Sequence, residues 1–271
     1  MTPQRGERKT EIADQTAASG SKGRLGTRLA LAVLVAVPAA VVAALLAIAV
    51  ESEWNPFRSL DQRTAAHLHD QAVAHPAWTH AMVLVSDVGG PTVFRVLVGV
   101  LVVGLWIRGA RRLAWWAAIT MTAGAVLDIA VKGVVNRARP SLPNPVAHAP
   151  GASFPSGHAL TAALGCGIIV LVFLPVLGRW GRRVGWSLAA AIVGAVGYSR
   201  IALGVHWVTD VLGGWLLAVG LLAATTSAFE TWRAQHGLLP VKLIAEGVAP
   251  EESAEAVVGE NEDEGEGDDR S

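Results

Sequence analysis

Cysteine and charged residues are scarce in this sequence. The one cysteine, Cys166, lies within an apolar run, which excludes a disulfide inside the chain. Only 16% of the 271 residues are charged, whereas 52% are hydrophobic. Long runs without charge are typical of segments that cross a lipid bilayer, so the composition indicates a membrane protein.

Net charge is absent as well, since the formal charge at neutral pH is zero. This balance says nothing about partners, because the two ends of the chain carry opposite charges. Residues 1–28 contain six Lys or Arg, and residues 246–271 contain eleven Asp or Glu against one Arg. Neither end has a repeating apolar pattern, so we predict that residues 1–28 and 229–271 are disordered basic and acidic tails.

Residues 29–50 form the first predicted membrane span. These 22 residues carry no charge. As a helix they would measure about 33 Å and cross a hydrocarbon core about 30 Å thick. A cleavable signal peptide is the alternative, because basic residues precede the run and Ala47, Ile48 and Ala49 resemble a cleavage site. Such a peptide needs an apolar region of only about 7–15 residues, so the length favours a retained anchor.

Five further apolar runs follow, at residues 88–107, 113–131, 159–177, 184–198 and 207–228. Together with the first run they predict an all-α, polytopic membrane protein with about six transmembrane helices. The predicted membrane domain covers residues 29–228.

Two short loops rich in arginine orient these spans. They contain Arg108, Arg111 and Arg112 in one case and Arg179, Arg182 and Arg183 in the other. Because such loops remain on the cytoplasmic side, we predict that both loops and both tails are cytoplasmic. The Ala-, Val- and Gly-rich composition favours a multi-pass protein of a bacterial plasma membrane.

Residues 51–80 contain four histidines, which are His67, His69, His75 and His80. A metal site is one interpretation. An amphipathic interfacial helix with solvated histidines is the other, and it is favoured because the spacing matches no familiar ligand set.

Three polar segments interrupt the apolar sequence, at residues 132–140, 154–158 and 199–210. A charged side chain in mid-bilayer costs about 2.5–3.5 kcal/mol on insertion scales, so charges gathered at the ends of apolar runs indicate a functional site. The predicted orientation places all three segments at the outer face.

The first segment carries Lys132, Arg137 and Arg139, followed by Pro140. Proline should end the helix and leave Arg139 in extended backbone, facing outward from the membrane end. Arginine binds phosphate oxygens through paired N–H groups, and lysine adds a point charge. The segment is therefore a candidate anion site, although basic residues at span ends are more often interfacial anchors.

The second segment, Phe154 to His158, directly precedes an apolar run. A helix should begin here, with Ser156 as its N-cap or in its first turn. The N–H groups of Gly157 and His158 would then face the loop at the positive end of the helix dipole, which is a ready site for an anion. His158 adds an imidazole suited to proton transfer near neutral pH.

The third segment contains Ser199, Arg200, His206 and Asp210. His206 and Asp210 are four residues apart, so on a continuous helix their Cβ atoms would be about 5–6 Å apart on one face. A carboxylate at that distance fixes the imidazole tautomer and leaves the other ring nitrogen free as a nucleophile. An unpaired Asp210 in an apolar run would be costly, which favours the pairing.

In order, the three segments read Lys-x6-Arg-Pro, Pro-Ser-Gly-His and Ser-Arg-x5-His-x3-Asp. This combination resembles the type 2 phosphatidic acid phosphatase superfamily, the integral-membrane lipid phosphate phosphatases, over residues 80–228. The resemblance implies a six-span helical core. It also implies hydrolysis of a lipid phosphate or diphosphate through a phosphohistidine, with no metal ion and no cofactor.

The resemblance also implies roles for individual residues. His206 would attack phosphorus, Asp210 would orient and charge-stabilise that histidine, and His158 would protonate the leaving oxygen. The groups that would hold the phosphoryl oxygens are Lys132, Arg139, Ser156, Gly157 and Arg200.

Two further residues are candidates for supporting roles. Asp128 lies four residues before Lys132 on the same predicted helix, so we expect it to neutralise or orient that lysine when no phosphate is bound. Arg137 could face either the site or the lipid head groups.

The expected substrate is a membrane lipid phosphate, of the phosphatidic acid, phosphatidylglycerol phosphate or polyprenyl diphosphate type. The three segments do not choose among these lipids, and no nucleic-acid partner is expected. The alternative from another class is a lipid-phosphate binding protein or carrier without hydrolysis, against which the presence of His158, His206 and Asp210 argues. Soluble haloperoxidases share a similar anion constellation, but the membrane spans argue against that class.

Overall fold

The computed structural model describes residues 34–52 and 54–235. These residues form eight α-helices and no strand, which confirms the all-α prediction. In chain order the helices are α1 (Leu34–Glu51), α2 (Asn55–Ala74), α3 (Pro76–Val88), α4 (Pro91–Ile107), α5 (Arg111–Val135), α6 (Gly157–Phe173), α7 (Arg179–Ala202) and α8 (Val208–Gln235).

Proline marks where three of these helices begin. Each of α2, α3 and α4 has a proline in its first two positions, where a missing backbone N–H costs no hydrogen bond. The predicted span 88–107 is corrected at its start, because the chain turns at Gly89 and Gly90 before α4 begins at Pro91. The apolar helix α3 precedes this turn and extends the apolar segment back to Pro76.

Six apolar segments run through the described part of the chain. Five are long and apolar enough to cross a membrane, namely α1, the α3–α4 pair, α5, α7 and α8. The sixth, α6, has 17 residues and would measure about 26 Å. The prediction of about six apolar helices is therefore confirmed.

Helix α6 is the central helix of the bundle. It contacts α4, α5, α7 and α8, and Leu160, Leu164 and Ile168 on it are almost completely enclosed. The buried core continues through Phe94 of α4 and Val196 of α7. A helix buried on all sides has no polar face, so its sequence does not indicate which neighbours surround it.

Most of the predicted span boundaries are shifted. The helices α5 and α7 extend beyond the predicted 113–131 and 184–198 at both ends. Helix α6 begins before residue 159 and ends at Phe173, earlier than the predicted 177. Of the first predicted span, residues 29–33 lie outside the described part of the chain.

Helix α8 continues past the predicted end at residue 228 to Gln235. The reason lies in aromatic contacts, because the rings of Phe229 and Trp232 stack with centroids 6.3 Å apart, and Phe229 also contacts Trp116. Residues 229–235 are therefore helical, and their assignment to a disordered tail is wrong. Residues 1–28 and 236–271 lie outside the described part of the chain.

Helix α2 is amphipathic, as predicted for this region. Its buried residues recur every three or four positions and form one face, consisting of Asp61, Ala65, Leu68, His69 and Ala72. This face packs against α7 and α8. The side chains of His67, His75 and His80 are exposed, whereas His69 is only 6% exposed, so the expectation of a solvated histidine is wrong for His69.

Four helix ends meet at one end of the bundle, which we call the motif end. They are the C-terminal ends of α5 and α7 and the N-terminal ends of α6 and α8. The backbone N–H of Ser156, just before α6, donates to the carbonyl of Asp210 in α8 at 2.9 Å, and that of Ser153 donates to the carbonyl of Arg137, just after α5, at 2.8 Å. The three polar segments therefore lie together.

The contact between α6 and α8 at the motif end depends on Gly214. A Cβ added at Gly214 would lie 2.8 Å from the carbonyl oxygen of Ser156 and 3.1 Å from the backbone nitrogen of Leu160. These are backbone atoms, which cannot rotate away as a side chain can. We therefore expect Gly214→Ala to lower the free energy of unfolding by about 1–3 kcal/mol through overpacking, measured as the denaturation midpoint of the detergent-purified protein.

The matched control is Gly104→Ala on α4, where an added Cβ meets no atom within 4 Å. This variant should be neutral or slightly more stable, because alanine favours a helix over glycine by about 0.5–1 kcal/mol. A Gly214→Ala protein that is as stable as Gly104→Ala would contradict the close contact.

Candidate active site

A tight turn after α7 places His206. The N–H of Val205 donates to the carbonyl of Arg200 at 3.2 Å, and the N–H of Gly204 donates to that of Ile201 at 2.9 Å. This pair of hydrogen bonds is a Schellman motif, which requires a left-handed residue after the helix. Gly204 has a φ of +67° and meets that requirement. The five residues between Arg200 and His206 are thus one helix ending.

His206 pairs with Asp210, but not through a continuous helix as the sequence suggested. Helix α8 begins at Val208, so His206 lies outside it and Asp210 lies in its first turn. One oxygen of Asp210, Oδ2, accepts from the backbone N–H of Trp207 at 2.9 Å and lies 3.3 Å from Nδ1 of His206. The carboxylate therefore caps the helix, as acidic third residues do, and orients the imidazole with the same oxygen.

The other ring nitrogen of His206 faces Arg139. Nη1 of Arg139 lies 3.1 Å from Nε2 of His206. A guanidinium can only donate, so Nε2 accepts and the proton of the neutral ring lies on Nδ1, facing Asp210. This tautomer carries its lone pair on Nε2, as a nucleophile requires.

Every N–H of Arg139 has an acceptor in this arrangement. Besides His206, the acceptors are the carbonyl oxygens of Pro150, Gly151, Ala152 and Val205, at 2.7–3.2 Å. The carbonyls of residues 150–152 belong to the loop between α5 and α6. The backbone of this loop therefore fixes the guanidinium beside the histidine.

Arg200 is a second cation and lies in α7. It is 8% exposed and donates through Nη1 to the hydroxyl of Ser86 in α3. Its Nε–H is buried and has no hydrogen-bond partner among the described residues. A buried charged donor without a partner is costly, so this N–H is suited to an anion at the site.

The start of α6 contributes the second segment. Ser156 is completely buried, and its hydroxyl accepts from the N–H of Ala159 at 3.5 Å, which makes it the N-cap. The same hydroxyl can still donate its own hydrogen to an oxyanion. His158, in the first turn, interacts electrostatically with Arg200 and His206. The N-terminal end of α6 therefore faces the same small volume as α7 and the His206 turn.

Lys132 and Asp128 form an ion pair in the last part of α5. Nζ of Lys132 lies 2.6 Å from each carboxylate oxygen of Asp128. A Cβ added at Gly157 would lie 3.0 Å from Oδ2 of Asp128 and 3.1 Å from Nζ of Lys132. The missing side chain of Gly157 thus lets α6 approach this pair closely, and the charge of Lys132 reaches the start of α6.

Arg137 contacts Asp210, which is one of the two orientations that the sequence left open. Its Nη1 donates to Oδ1 of Asp210 at 2.6 Å and to the hydroxyl of Thr209 at 2.7 Å. The guanidinium also lies over the ring of Trp207, with its carbon 5.3 Å from the ring centroid. Arg137 therefore contacts the carboxylate that orients His206.

Asp61 is a member of this network that the sequence did not single out. It lies on α2, is 1% exposed, and its Oδ2 accepts from Nη2 of Arg137 at 2.8 Å. One signal was available, because an acidic residue stands on the otherwise mostly apolar face of an amphipathic helix. Its partners, however, are more than 70 residues away in the chain.

Burial and charge tune two groups outside the spans. Burial lowers the pKa of His206 below its ordinary value of 6.5, and the hydrogen bond to Asp210 opposes the shift. Burial also lowers the pKa of Arg139, against the attraction of Asp210 and Asp128. His206 is therefore neutral at neutral pH, in the form that has a free lone pair.

The described residues include no group of three or more His, Cys, Asp or Glu side chains arranged to hold a metal ion. The site instead gathers cationic side chains from three parts of the chain, namely Lys132, Arg139 and Arg200. Such a cluster in a poorly solvated setting favours an anion with several oxygens.

Fold and site together define an all-α, multi-pass membrane protein in which cationic side chains gather around a buried histidine. Residues 112–234 match the family model described as the PAP2 superfamily, and this range includes all three polar segments. Residues 112–234 are therefore similar to this superfamily, which confirms the resemblance drawn from the motifs.

Named relatives support this placement. The chain is 39% identical over 97 residues to phosphatidylglycerophosphatase B of Bacillus subtilis, covering 35% of this chain and 47% of the relative. It is 33% identical over 132 residues to the undecaprenyl-diphosphatase BcrC of Bacillus subtilis, covering 46% of this chain and 63% of the relative. In both cases the match spans less than two thirds of the relative's length.

A solved structure matches more of the chain. It is the crystal structure of a transmembrane PAP2-type phosphatidylglycerolphosphate phosphatase from Bacillus subtilis. The likeness covers 73% of this chain and 96% of that one, with 25% sequence identity and a TM-score of 0.65. The helical arrangement is therefore that of a known transmembrane member of the superfamily.

The ion pair of Lys132 and Asp128 leads to a prediction about substrate affinity. Asp128→Asn removes the charge that holds Lys132 in place but leaves His158 and His206 untouched. We expect KM for a lipid phosphate to rise about three- to tenfold, the equivalent of one hydrogen bond, with a smaller change in kcat. Steady-state kinetics in detergent micelles measure both, with Glu51→Gln, exposed at the end of α1, as the control. Complete loss of turnover in Asp128→Asn would contradict this supporting role.

The environment of His206 leads to a prediction about pH. An imidazole acts as a nucleophile only when it is neutral. Burial lowers the pKa of His206, so its neutral form persists to a lower pH than for a solvated histidine. The acid limb of kcat/KM should therefore have its midpoint below 6.5. Two substrates with different phosphate pKa values separate this limb from titration of the substrate itself. A substrate-independent midpoint above 6.5 would be inconsistent with the buried, neutral ring.

Proposed function

We propose that this protein hydrolyses a lipid phosphate or diphosphate through a phosphohistidine on His206, without a metal ion, at the outer face of a bacterial plasma membrane. The observation that carries the proposal is the position of Nε2 of His206. It faces the guanidinium of Arg139, while Asp210 holds the opposite side of the ring.

In the first step, Nε2 of His206 attacks phosphorus and the bond from phosphorus to the leaving oxygen breaks. His158 gives its proton to that oxygen, so the lipid leaves as an alcohol or, from a diphosphate, as a monophosphate. As Nε2 forms its bond to phosphorus, the N–H of Arg139 that had donated to Nε2 donates a hydrogen bond to a phosphoryl oxygen instead. Asp210 stabilises the positive charge that develops on the imidazole.

In the second step, water attacks the phosphohistidine. His158, now neutral, takes a proton from the water, and the bond between Nε2 and phosphorus breaks. Inorganic phosphate is released and both histidines return to their starting protonation states. The same imidazole thus acts as acid in one step and base in the next.

Fixed cations supply the charge stabilisation that the transferring phosphoryl group needs. Its three equatorial oxygens share the negative charge, so catalysis consists largely of positioning and neutralisation. Lys132, Arg139 and Arg200 approach from three helix ends, and the backbone at Gly157 and the hydroxyl of Ser156 add donors at the start of α6. These groups do the work that a metal ion does in other phosphatases.

Two considerations support an outer-face site that takes its substrate from the bilayer. The arginine-rich loops stand at the opposite end of the bundle from the motif end, and such loops remain in the cytoplasm. The relatives named above are a phosphatidylglycerophosphatase and an undecaprenyl-diphosphatase, so a glycerolipid phosphate and a polyprenyl diphosphate are the two substrate classes to compare.

The proposal predicts metal-independent release of phosphate. Purified protein should release inorganic phosphate from phosphatidic acid, phosphatidylglycerol phosphate or a polyprenyl diphosphate in the presence of EDTA, and vanadate should inhibit the reaction. His206→Ala should lower kcat by about a thousandfold or more, because the nucleophile is lost. The matched control is His67→Ala, which removes an exposed histidine of α2.

Three results would contradict the proposal. Activity retained in His206→Ala would contradict the phosphohistidine intermediate. Strict dependence on an added divalent cation would contradict a mechanism without a metal ion. Binding of lipid phosphates without phosphate release from any of them would favour the alternative of a carrier.

A further inference from the structure

Asp61 is a buried carboxylate outside the three polar segments. It stands on α2, next to Ala65 and Leu68 on the face that packs against the bundle. Only 1% of its surface is exposed. A charge in such a place is costly unless it is paired and hydrogen-bonded.

Both oxygens of Asp61 are engaged by the start of α8 and by Arg137. Oδ1 accepts from the backbone N–H of Thr209 at 3.1 Å, and Oδ2 accepts from the hydroxyl of Thr209 at 2.6 Å. Oδ2 also accepts from Nη2 of Arg137 at 2.8 Å. A carboxylate from α2 thus caps the first turn of α8, the turn that carries Asp210.

Arg137 connects Asp61 to the histidine. Its Nη2 binds Asp61 and its Nη1 binds Oδ1 of Asp210, while Oδ2 of Asp210 faces His206. One guanidinium therefore bridges two buried carboxylates, and the group of three carries a net negative charge. Without Asp61, Arg137 would balance the charge of Asp210 alone, and the group beside the imidazole would be neutral.

We propose that Asp61 is a positioning residue for His206, acting through Arg137 and Thr209 to keep Asp210 in place and negatively charged toward the imidazole. The inference rests on the proposed function, because it assigns His206 as the nucleophile. In this role Asp61 affects the step in which the imidazole becomes cationic, and it touches none of the groups that hold phosphate.

The test begins with Asp61→Asn, which keeps the shape of the side chain and removes its charge. We expect kcat for a lipid phosphate to fall about 10- to 100-fold, by analogy with loss of the outer-shell partner of a metal-bound histidine, while KM changes less than about threefold. Asp61→Glu, which restores the charge, should recover much of kcat. The matched control is Asp70→Asn, which removes an exposed carboxylate from the same helix and should match the wild type.

A pH profile separates this role from a merely structural one. The charged and titratable groups around His206 are Asp210, Arg139, Arg200 and His158, with Arg137 behind Asp210. All of them remain in Asp61→Asn, so the variant changes only the balance of charge. Loss of a negative charge disfavours the protonated imidazole, so the acid limb of kcat should move to lower pH in Asp61→Asn and stay in place in Asp61→Glu.

A second variant covers the case in which Asp61→Asn does not fold. Thr209→Val keeps the size of the side chain and removes the hydroxyl that donates to Asp61 and accepts from Arg137. It should lower kcat as well, by a smaller factor than Asp61→Asn does.

A rescue experiment gives a further measurement. A cavity of about 230 Å³ lies beside Asp61 and Arg137, so added formate should restore part of kcat in Asp61→Ala.

Orthovanadate binding provides a measurement that needs no turnover. Vanadate takes the place of the phosphoryl group on His206, so Asp61→Asn should bind it about tenfold more weakly than the wild type and Asp70→Asn should bind it equally well. The rates of wild type and His206→Ala test the proposed function, and the comparison of Asp61→Asn with Asp70→Asn tests this inference. A wild-type kcat, an unmoved acid limb or unchanged vanadate affinity in folded Asp61→Asn would overturn it. So would losses that match only the reduced fraction of folded protein.

Discussion

Repulsion between like charges is the constraint on which the motif end depends. Arg139 and Arg200 are close enough to disfavour each other's charge, and Lys132 acts on the same volume. In an apolar bundle this repulsion is poorly screened, so each cation needs a neighbour that offsets it. Asp128 offsets Lys132, loop carbonyls surround Arg139, and the hydroxyl of Ser86 meets Arg200.

Helix ends extend the same electrostatic arrangement. The N-terminal ends of α6 and α8 both reach the motif end, and each brings the positive end of a helix dipole. At α8 the dipole faces two carboxylates, Asp61 and Asp210, so this end is satisfied from within the protein. At α6 the first turn carries His158, lies beside the ion pair of Lys132 and Asp128, and is capped by the hydroxyl of Ser156, so this end is the one suited to an external anion. The two helix N-termini thus differ in what offsets their positive dipole ends, although both lie beside the same histidine.

The sequence predicted the local parts of this arrangement well. The apolar runs located all six hydrophobic segments, the Ser156 cap lies where the motif predicts, and the spacing of Lys132 and Asp128 indicated their pairing. Each of these features depends on residues only a few positions apart. Where the spacing argument was wrong, as for a helix continuous through His206, a turn at Gly204 produced the same pairing by a different backbone path.

Features that depend on distant residues were missed. Asp61 meets Thr209 across 148 positions, and no local pattern carries that information. The extension of α8 has the same origin, because Phe229 is helical where it can pack on Trp116. The direction of Arg137 was undecided for this reason as well, since both of its carboxylate partners come from elsewhere in the fold.

The guanidinium of Arg139 links the loop between α5 and α6 to the imidazole of His206. Three of its five N–H bonds end on the carbonyls of residues 150–152, and one ends on Nε2 of His206. Because a guanidinium is rigid, its position beside the ring is dictated by the backbone of a loop that contacts no reacting atom. The loop therefore serves as a template for the nucleophile, and any change in its length or path would be transmitted as a tilt of that plane. A lysine, with a single freely rotating ammonium, would carry the charge but would lose this geometric reference.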